Sequence, residues 1–209
     1  MVTGNTSQLL LLAAEGNEAA REELFGRHRS RLRRFVAVRL DRRLQGRLDG
    51  SDILQDVYLE ASRRLTEFQQ RRPCSFYLWL RLICAERMVA GLRAHLRAGK
   101  RTVAREVAVN AQGVPTVDTD SMVLQLLESG TSPSGVAMQE ELRQQVSDVL
   151  NRLSAADREI LVLRHFEQLT NVEAAEVLNI TASTASSRYV RALKRLKQEL
   201  SSIPGFEEW

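Results

Sequence analysis

From Asn17 to Leu44 the chain contains no proline and one glycine, Gly26, while Leu24, Phe25, Leu32, Phe35, Val36, Val38 and Leu40 recur at helical spacing. A half-buried strand would alternate in steps of two, so this stretch is restricted to one long helix. Asn17 is a suitable cap, and Glu18, Glu22 and Glu23 lie toward the positive end of the helix dipole. The pattern frays near Arg42 to Gly46, and Gly46 to Gly50 reads as a turn. Asp49 or Ser51 can then cap a second helix with the stripe Ile53, Leu54, Val57, Tyr58, Ala61 and Leu65, whose other face is acidic early at Asp52, Asp56 and Glu60. Pro73 opens a third helix, with Ser75 as its cap. There Phe76, Leu78, Trp79, Leu80, Leu82, Ile83, Met88, Val89 and Leu92 spread apolar surface over more than one side, which places this helix between neighbours, with Trp79 in the core.

The regular pattern then stops and starts again. Gly113, Pro115, Gly130, Pro133 and Gly135 punctuate the stretch from Val107 to Gly135, leaving room for one short helix at Asp120 to Leu127. So long an interruption is uncommon inside a compact domain and reads as a linker. Beyond it, helices are predicted over Ala137 to Leu153, Ala155 to Phe166, Asn171 to Leu178 and Ala182 to Leu200, with no strand required. The fold class is therefore all-α, with two small helical domains, residues 1–105 and 137–209, joined by a linker at 106–136. A chain of 209 residues can supply two modest cores, and an aromatic share of 5% beside abundant Leu, Ala, Arg and Glu favours helices over sheets.

The most informative local pattern is Thr170-Asn171-Val172-Glu173, a capping box that starts a helix. That helix carries Val172, Ala174, Ala175, Val177 and Leu178 and is only about two turns long. Asn179-Ile180-Thr181 forms a turn that buries Ile180 and lets Thr181 cap the next helix, while Ala174 and Ala175 permit close approach. Short helix, tight turn and long helix make a helix-turn-helix. On the long helix, Ala185, Tyr189, Leu193, Leu196 and Leu200 form the buried stripe, leaving Ser183, Ser186, Ser187, Val190, Arg191 and Lys194 outward. It is small and polar early and cationic later, through Arg188, Arg191, Lys194, Arg195 and Lys197. A helix entering the major groove needs that order, because its first turns meet base edges and later residues meet phosphates.

A second basic stripe follows the third helix: Arg87, Arg93, His95, Arg97, Lys100, Arg101 and Arg105, opposed before Glu106 only by Glu86. A few cations at a helix end would complement its dipole; so many in one stretch favour phosphate binding. The net charge of +4 agrees with a polyanionic partner without requiring one. Cys74 and Cys84 have no metal-ligand spacing and lie about three helical turns apart, which disfavours a bond between them. His28, His95 and His165 have no nucleophile at motif spacing, and no phosphate-binding glycine loop occurs. No catalytic residue, metal or cofactor is expected. The apolar run Leu9 to Ala14 is too short for a signal core or a membrane span, so the expected location is the cytoplasm.

These features converge on a family. The stretch Leu153 to Leu196, LSAADREILVLRHFEQLTNVEAAEVLNITASTASSRYVRALKRL, resembles the fourth domain of bacterial sigma factors, which reads the minus-thirty-five promoter element. Asp52-Ile53-Leu54-Gln55-Asp56-Val57-Tyr58-Leu59 is similar to the second-domain segment that docks on the clamp helices of the polymerase largest subunit, and Phe76 to Arg105 occupies the place of the segment that melts and reads the minus-ten element. The order of the matches and the missing third domain resemble the extracytoplasmic-function (ECF) group. The resemblance implies core RNA polymerase (its clamp and flap), promoter DNA and an anti-sigma protein as partners, and a linker running toward the active cleft and RNA exit path. It implies polymerase docking by Asp52, Leu54, Gln55, Asp56 and Leu59. DNA contacts would come from Arg87, Arg93, Arg97, Lys100 and Arg101 in the first module, and from Ser183, Thr184, Ser186, Ser187, Arg188 and Arg191 in the second. Many relatives carry a basic residue and Asn where this chain has Ala85-Glu86, and Val-Lys where it has Ala185-Ser186. The rival readings are a stand-alone helix-turn-helix regulator on a palindromic site, and a helical scaffold whose cations are merely solvated.

Overall fold

A computed structural model of the chain describes residues 5–40, 49–98, 109, 113–128 and 136–203. Among the described residues the regular structure is helical: α1 (Thr6–Ala14), α2 (Glu18–Arg39), α3 (Gly50–Arg71), α4 (Phe76–Ala98), α5 (Thr119–Glu128), α6 (Val136–Arg152), α7 (Ala155–Leu161), α8 (Asn171–Leu178) and α9 (Ala182–Leu200). An isolated antiparallel bridge pairs Val109 with Pro115. The chain forms two compact units, one of Met1–Ala37 with Arg43–Thr116, the other of Val38–Arg42 with Val117–Trp209.

In the first unit, caps set the helix starts. The Asn17 side chain accepts from the Ala20 amide at 3.0 Å, and Asp49 accepts from the Ser51 amide at 2.8 Å, so Asp49 rather than Ser51 caps α3. Ser75 accepts from the Leu78 amide at 3.3 Å at the head of α4. The turn expected at Gly46 to Gly50 and the fraying at Arg42 fall largely outside the described residues. One helix goes beyond the sequence expectations: Leu9, Leu10 and Ala13 of α1 are buried, and Asn5 closes a capping box with Gln8. A run this short reads as apolar but not as helical, since two turns carry too little periodicity.

The centre of this unit is aromatic. Phe25 meets Tyr58 and Phe76 edge-on at 4.8 and 5.8 Å between ring centres, and Phe68 stacks on Trp79 at 4.5 Å. Ile53, Val57, Ala61 and Leu65 of α3 pack in the same core, and α4 buries Phe76, Leu78, Leu80, Ile83, Met88 and Leu92 on several sides, as its sequence predicts for a central helix. Trp79 is half-buried rather than fully internal, stacked on Phe68 and tilted against Phe76 at 5.6 Å.

The second unit packs α5 on α6, and sets α6, α7 and α8 against α9. The predicted helix Ala155 to Phe166 is α-helical only to Leu161; Val162–Phe166 is a π-helical turn, closed by the Glu167 amide on the Val162 carbonyl at 2.8 Å. A long-range contact lies beside it. Glu167 is fully buried and accepts from Arg39 Nε at 2.8 Å, while Glu159 accepts from the same guanidinium at 2.6 Å. Burial alone lowers the Arg39 pKa, but the two carboxylates outweigh it and hold it above its ordinary value. Residues so far apart in sequence leave no local pattern to read.

Removing Arg39 takes its guanidinium away from the fully buried Glu167 carboxylate and the half-buried Glu159. Arg39→Ala is therefore expected to lower the unfolding free energy of the whole chain by about 3–5 kcal/mol. Urea titration followed by circular dichroism measures it. A loss below about 1 kcal/mol, the range of exposed pairs, would mean that the carboxylates reach solvent.

Candidate nucleic-acid interface

The helix-turn-helix is built from three caps in twelve residues, Thr170, Asn179 and Thr181. The Thr170 hydroxyl accepts from the Glu173 amide at 3.1 Å, and the Glu173 carboxylate accepts from the Thr170 amide at 2.8 Å, completing the box. Asn179 ends α8 in the left-handed region at φ 53°, and the Ile180 amide donates back to the Ala175 carbonyl at 3.0 Å, the six-to-one closure of a helix that turns sharply. Thr181 then accepts from the Thr184 amide at 3.1 Å to start α9. Ala174, Ala175 and Ala185 are buried where α8 and α9 pack; the methyl side chains let the two backbones approach.

The buried stripe of α9 differs in part from the expected one. Ala185, Ala192, Leu196 and Leu200 are buried, whereas Tyr189 and Leu193 are half-buried. Ile180, expected inside the turn, is also half-buried. Tyr189 has a specific neighbour: the Arg164 guanidinium lies over its ring at 5.3 Å and donates to the Leu169 carbonyl. The ring is held at the edge of the core by a cation from the π-helical turn, and so stays partly accessible.

On the outer face, Ser183, Thr184, Ser187 and Arg191 are exposed, while Ser186 and Arg188 are half-buried. Arg191 Nε donates to the Ser187 carbonyl at 3.4 Å, laying the guanidinium back along the helix. Farther on, Arg195 is paired with Asp157 at 2.9 Å and Glu199 with Arg152 at 3.3 Å. Arg195, counted among the downstream cations, thus also fastens α9 to α7.

In the first unit the expected polymerase-binding residues share one helix face. Asp52, Gln55, Asp56 and Leu59 are exposed at steps of three and four along α3, and Leu54 is half-buried beside them. Leu59 is 47% exposed, which is high for a leucine surrounded by polar neighbours. The expected DNA-binding cations divide. Arg93 is exposed. Arg87 is half-buried and lies 3.7 Å from Glu60, which also holds Arg64 at 2.6 Å; Arg64 bridges on to Glu86 at 3.0 Å. The His95 and Arg97 side chains, and Lys100, Arg101 and Arg105, lie outside what is described.

Comparison with known proteins places this geometry. Residues 143–196 match the family model "Sigma-70, region 4", a span containing the end of α6, α7, the π turn and the helix-turn-helix. The chain is similar to the ECF RNA polymerase sigma-E factor of Escherichia coli, 24% identical over 161 residues that cover 74% of this chain and 75% of that protein. It is 44% identical to the RNA polymerase sigma-E factor of Streptomyces avermitilis over 55 residues, 26% of this chain and 31% of the other. A solved structure of CnrH in complex with the cytosolic domain of CnrY shares the fold, with a TM-score of 0.51, 24% identity and coverage of 94% of this chain and 97% of that one. Residues 143–196 thus carry a sigma region 4 helix-turn-helix. The comparisons support a sigma factor of the extracytoplasmic-function kind, with a role in transcription initiation. Sigma factors are in general non-enzymatic regulators of transcription.

The left-handed Asn179 gives a test of the turn. Asn179→Ala is expected to cost about 1 kcal/mol, because alanine keeps the Cβ that crowds the following carbonyl at positive φ but loses the short polar group that lets asparagine tolerate that region. Asn179→Gly is expected to be close to neutral. Thermal unfolding of the two variants measures the difference; equal melting temperatures would show that the turn relaxes.

Proposed function

We propose that the module of residues 1–105 binds the clamp of the polymerase largest subunit and opens the minus-ten region, while the module of residues 137–209 engages the flap of the second-largest subunit and reads the minus-thirty-five element. The observation that carries the reading is the outer face of α9, small and polar through Ser183, Thr184, Ser186 and Ser187, then cationic at Arg188 and Arg191. Hydroxyls of short side chains can hydrogen-bond base edges without filling the groove, and guanidinium groups pair with guanine or phosphate. Asp52, Gln55 and Asp56 supply acidic and amide contacts to a basic clamp surface, and Leu54 and Leu59 an apolar one.

Arg93, Arg97, Lys100 and Arg101 are assigned to phosphates of the opening duplex, giving salt-dependent affinity. Arg87 belongs to the same surface once its long contact with Glu60 yields to a phosphate, an exchange of one anion for another. Strand opening needs no chemistry from the chain, only capture of unstacked non-template bases, so catalytic residues and cofactors have no part in the proposal. Residues 106–136 act as the tether. The tether raises the effective concentration of the second module once the first is bound. No helix among the described residues is long and apolar enough to cross a membrane, and the cytoplasm, where polymerase works, is the proposed site of action. An anti-sigma protein is proposed as a regulatory partner, in keeping with the fold shared with CnrH, which was solved in complex with the cytosolic domain of CnrY.

Run-off transcription with purified core polymerase and a promoter library, with and without the chain, tests the proposal. Initiation that requires the chain is expected, and its absence on every template would refute the reading. Two variants separate the surfaces. Asp56→Arg is expected to weaken core binding at least about tenfold through like-charge repulsion while leaving the fold intact. Arg191→Ala should weaken one promoter class more than others; equal loss on all DNA would reduce it to a phosphate contact.

A further inference from the structure

Val190 is 60% exposed on α9, in the middle of the face assigned above to base edges. It lies on one line with Ser183, Ser187 and Lys194, at steps of four, three and four along the helix, and is preceded and followed in sequence by Tyr189 and Arg191. All the other members of that line are polar. A lone exposed valine on a helix surface is ordinary in itself. This one differs in its setting, because it is the apolar member of a stripe otherwise made of hydroxyls and cations.

In the major groove of B-DNA the base edges present hydrogen-bond donors and acceptors, and one apolar group, the C5 methyl of thymine. A valine side chain offers no donor or acceptor, so it cannot select guanine, adenine or cytosine by pairing. It can only reward a methyl placed against it, or penalise a polar edge left without water. In a helix, valine also keeps one strongly preferred side-chain rotamer, so little freedom is lost on docking. Ser187 one turn earlier and Lys194 one turn later can bond a neighbouring base and a phosphate, which fixes the register in which the valine methyls meet the groove.

We infer that Val190 is a specificity-determining residue that reads the methyl group of a thymine in the promoter element bound by α9. The inference rests on the proposed function and deepens it. It predicts that the preferred element carries a thymine at one position where the methyl, rather than the pairing edge, is what matters.

Uracil differs from thymine only in lacking that methyl, so the contact can be deleted from the DNA side alone. The experiment uses the full chain with core polymerase on a promoter, selected from the library, from which the chain drives initiation. Each thymine of the upstream element is replaced in turn by uracil, for the wild-type chain and for Val190→Ala. With the wild-type chain, one thymine-to-uracil change is expected to lower initiation about three- to fivefold, the scale of one buried methyl. Val190→Ala should lower initiation by a similar factor on the thymine template, and in that variant the same uracil change should have no further effect. Circular dichroism should be unaltered by the substitution, given the exposure of the residue.

The inference is overturned if every uracil effect has the same size in both proteins, if no uracil change has an effect, or if the selected elements carry no thymine. A chain that drives initiation from no member of the library would instead refute the sigma-factor mechanism itself.

Discussion

The close crossing of α8 and α9 is the constraint on which the DNA-facing surface depends. Ala174, Ala175 and Ala185 are buried at that crossing, and the left-handed Asn179 redirects the chain between the two helices. Larger side chains at the alanines would push α9 outward and rotate its outer face, moving Ser183, Ser187 and Arg191 together. The caps at Thr170 and Thr181 fix where each helix begins, so the register of the outer face follows from a few backbone hydrogen bonds. An interface read by hydroxyls tolerates little displacement, because hydrogen bonds weaken steeply with distance and angle.

Charge is distributed in a comparable way, with some cations committed to the fold and others left to the surface. Arg39 is enclosed by Glu159 and Glu167, Arg195 is held by Asp157, and Arg64 by Glu60 and Glu86. Counting basic residues along the sequence therefore overstates the positive surface that α4 and α9 present. Arg93 and Arg191 are exposed, and Lys194 lies on the same outer face as Arg191. Exposed ion pairs contribute little stability, so Arg195 and Arg87 remain recruitable by a phosphate at small cost, whereas Arg39 does not.

Much of this was legible in the sequence because it is local. The spans Asn171–Leu178 and Ala182–Leu200 follow from the capping box, the Asn179 turn and Thr181, all within three or four residues of the features they control. The exposed face of α3 follows from the spacing of Asp52, Gln55, Asp56 and Leu59. What sequence missed is non-local or too short to be periodic. The π turn at Val162–Phe166 accompanies a buried carboxylate whose partner, Arg39, lies far away in sequence, and α1 has only nine residues. Periodicity placed Tyr189 and Leu193 in the buried stripe, but it cannot register that Arg164 sits on the tyrosine ring or that Ala192 is buried instead.

The character of the α9 face also bears on how specificity is divided. Hydroxyls, one valine and a few guanidinium and ammonium groups make a reader of modest strength, since neutral hydrogen bonds and a methyl contact each contribute little in water. Such a surface discriminates sequences better than it holds them. In the proposed arrangement affinity comes from elsewhere: from polymerase bound through the α3 face, and from the cations of the first module on the duplex. Tethering converts a weak second contact into an intramolecular one, at an effective concentration of about millimolar for short flexible connections. On that proposal, a reader that is weak alone and selective when tethered avoids being sequestered on the great excess of nonspecific DNA.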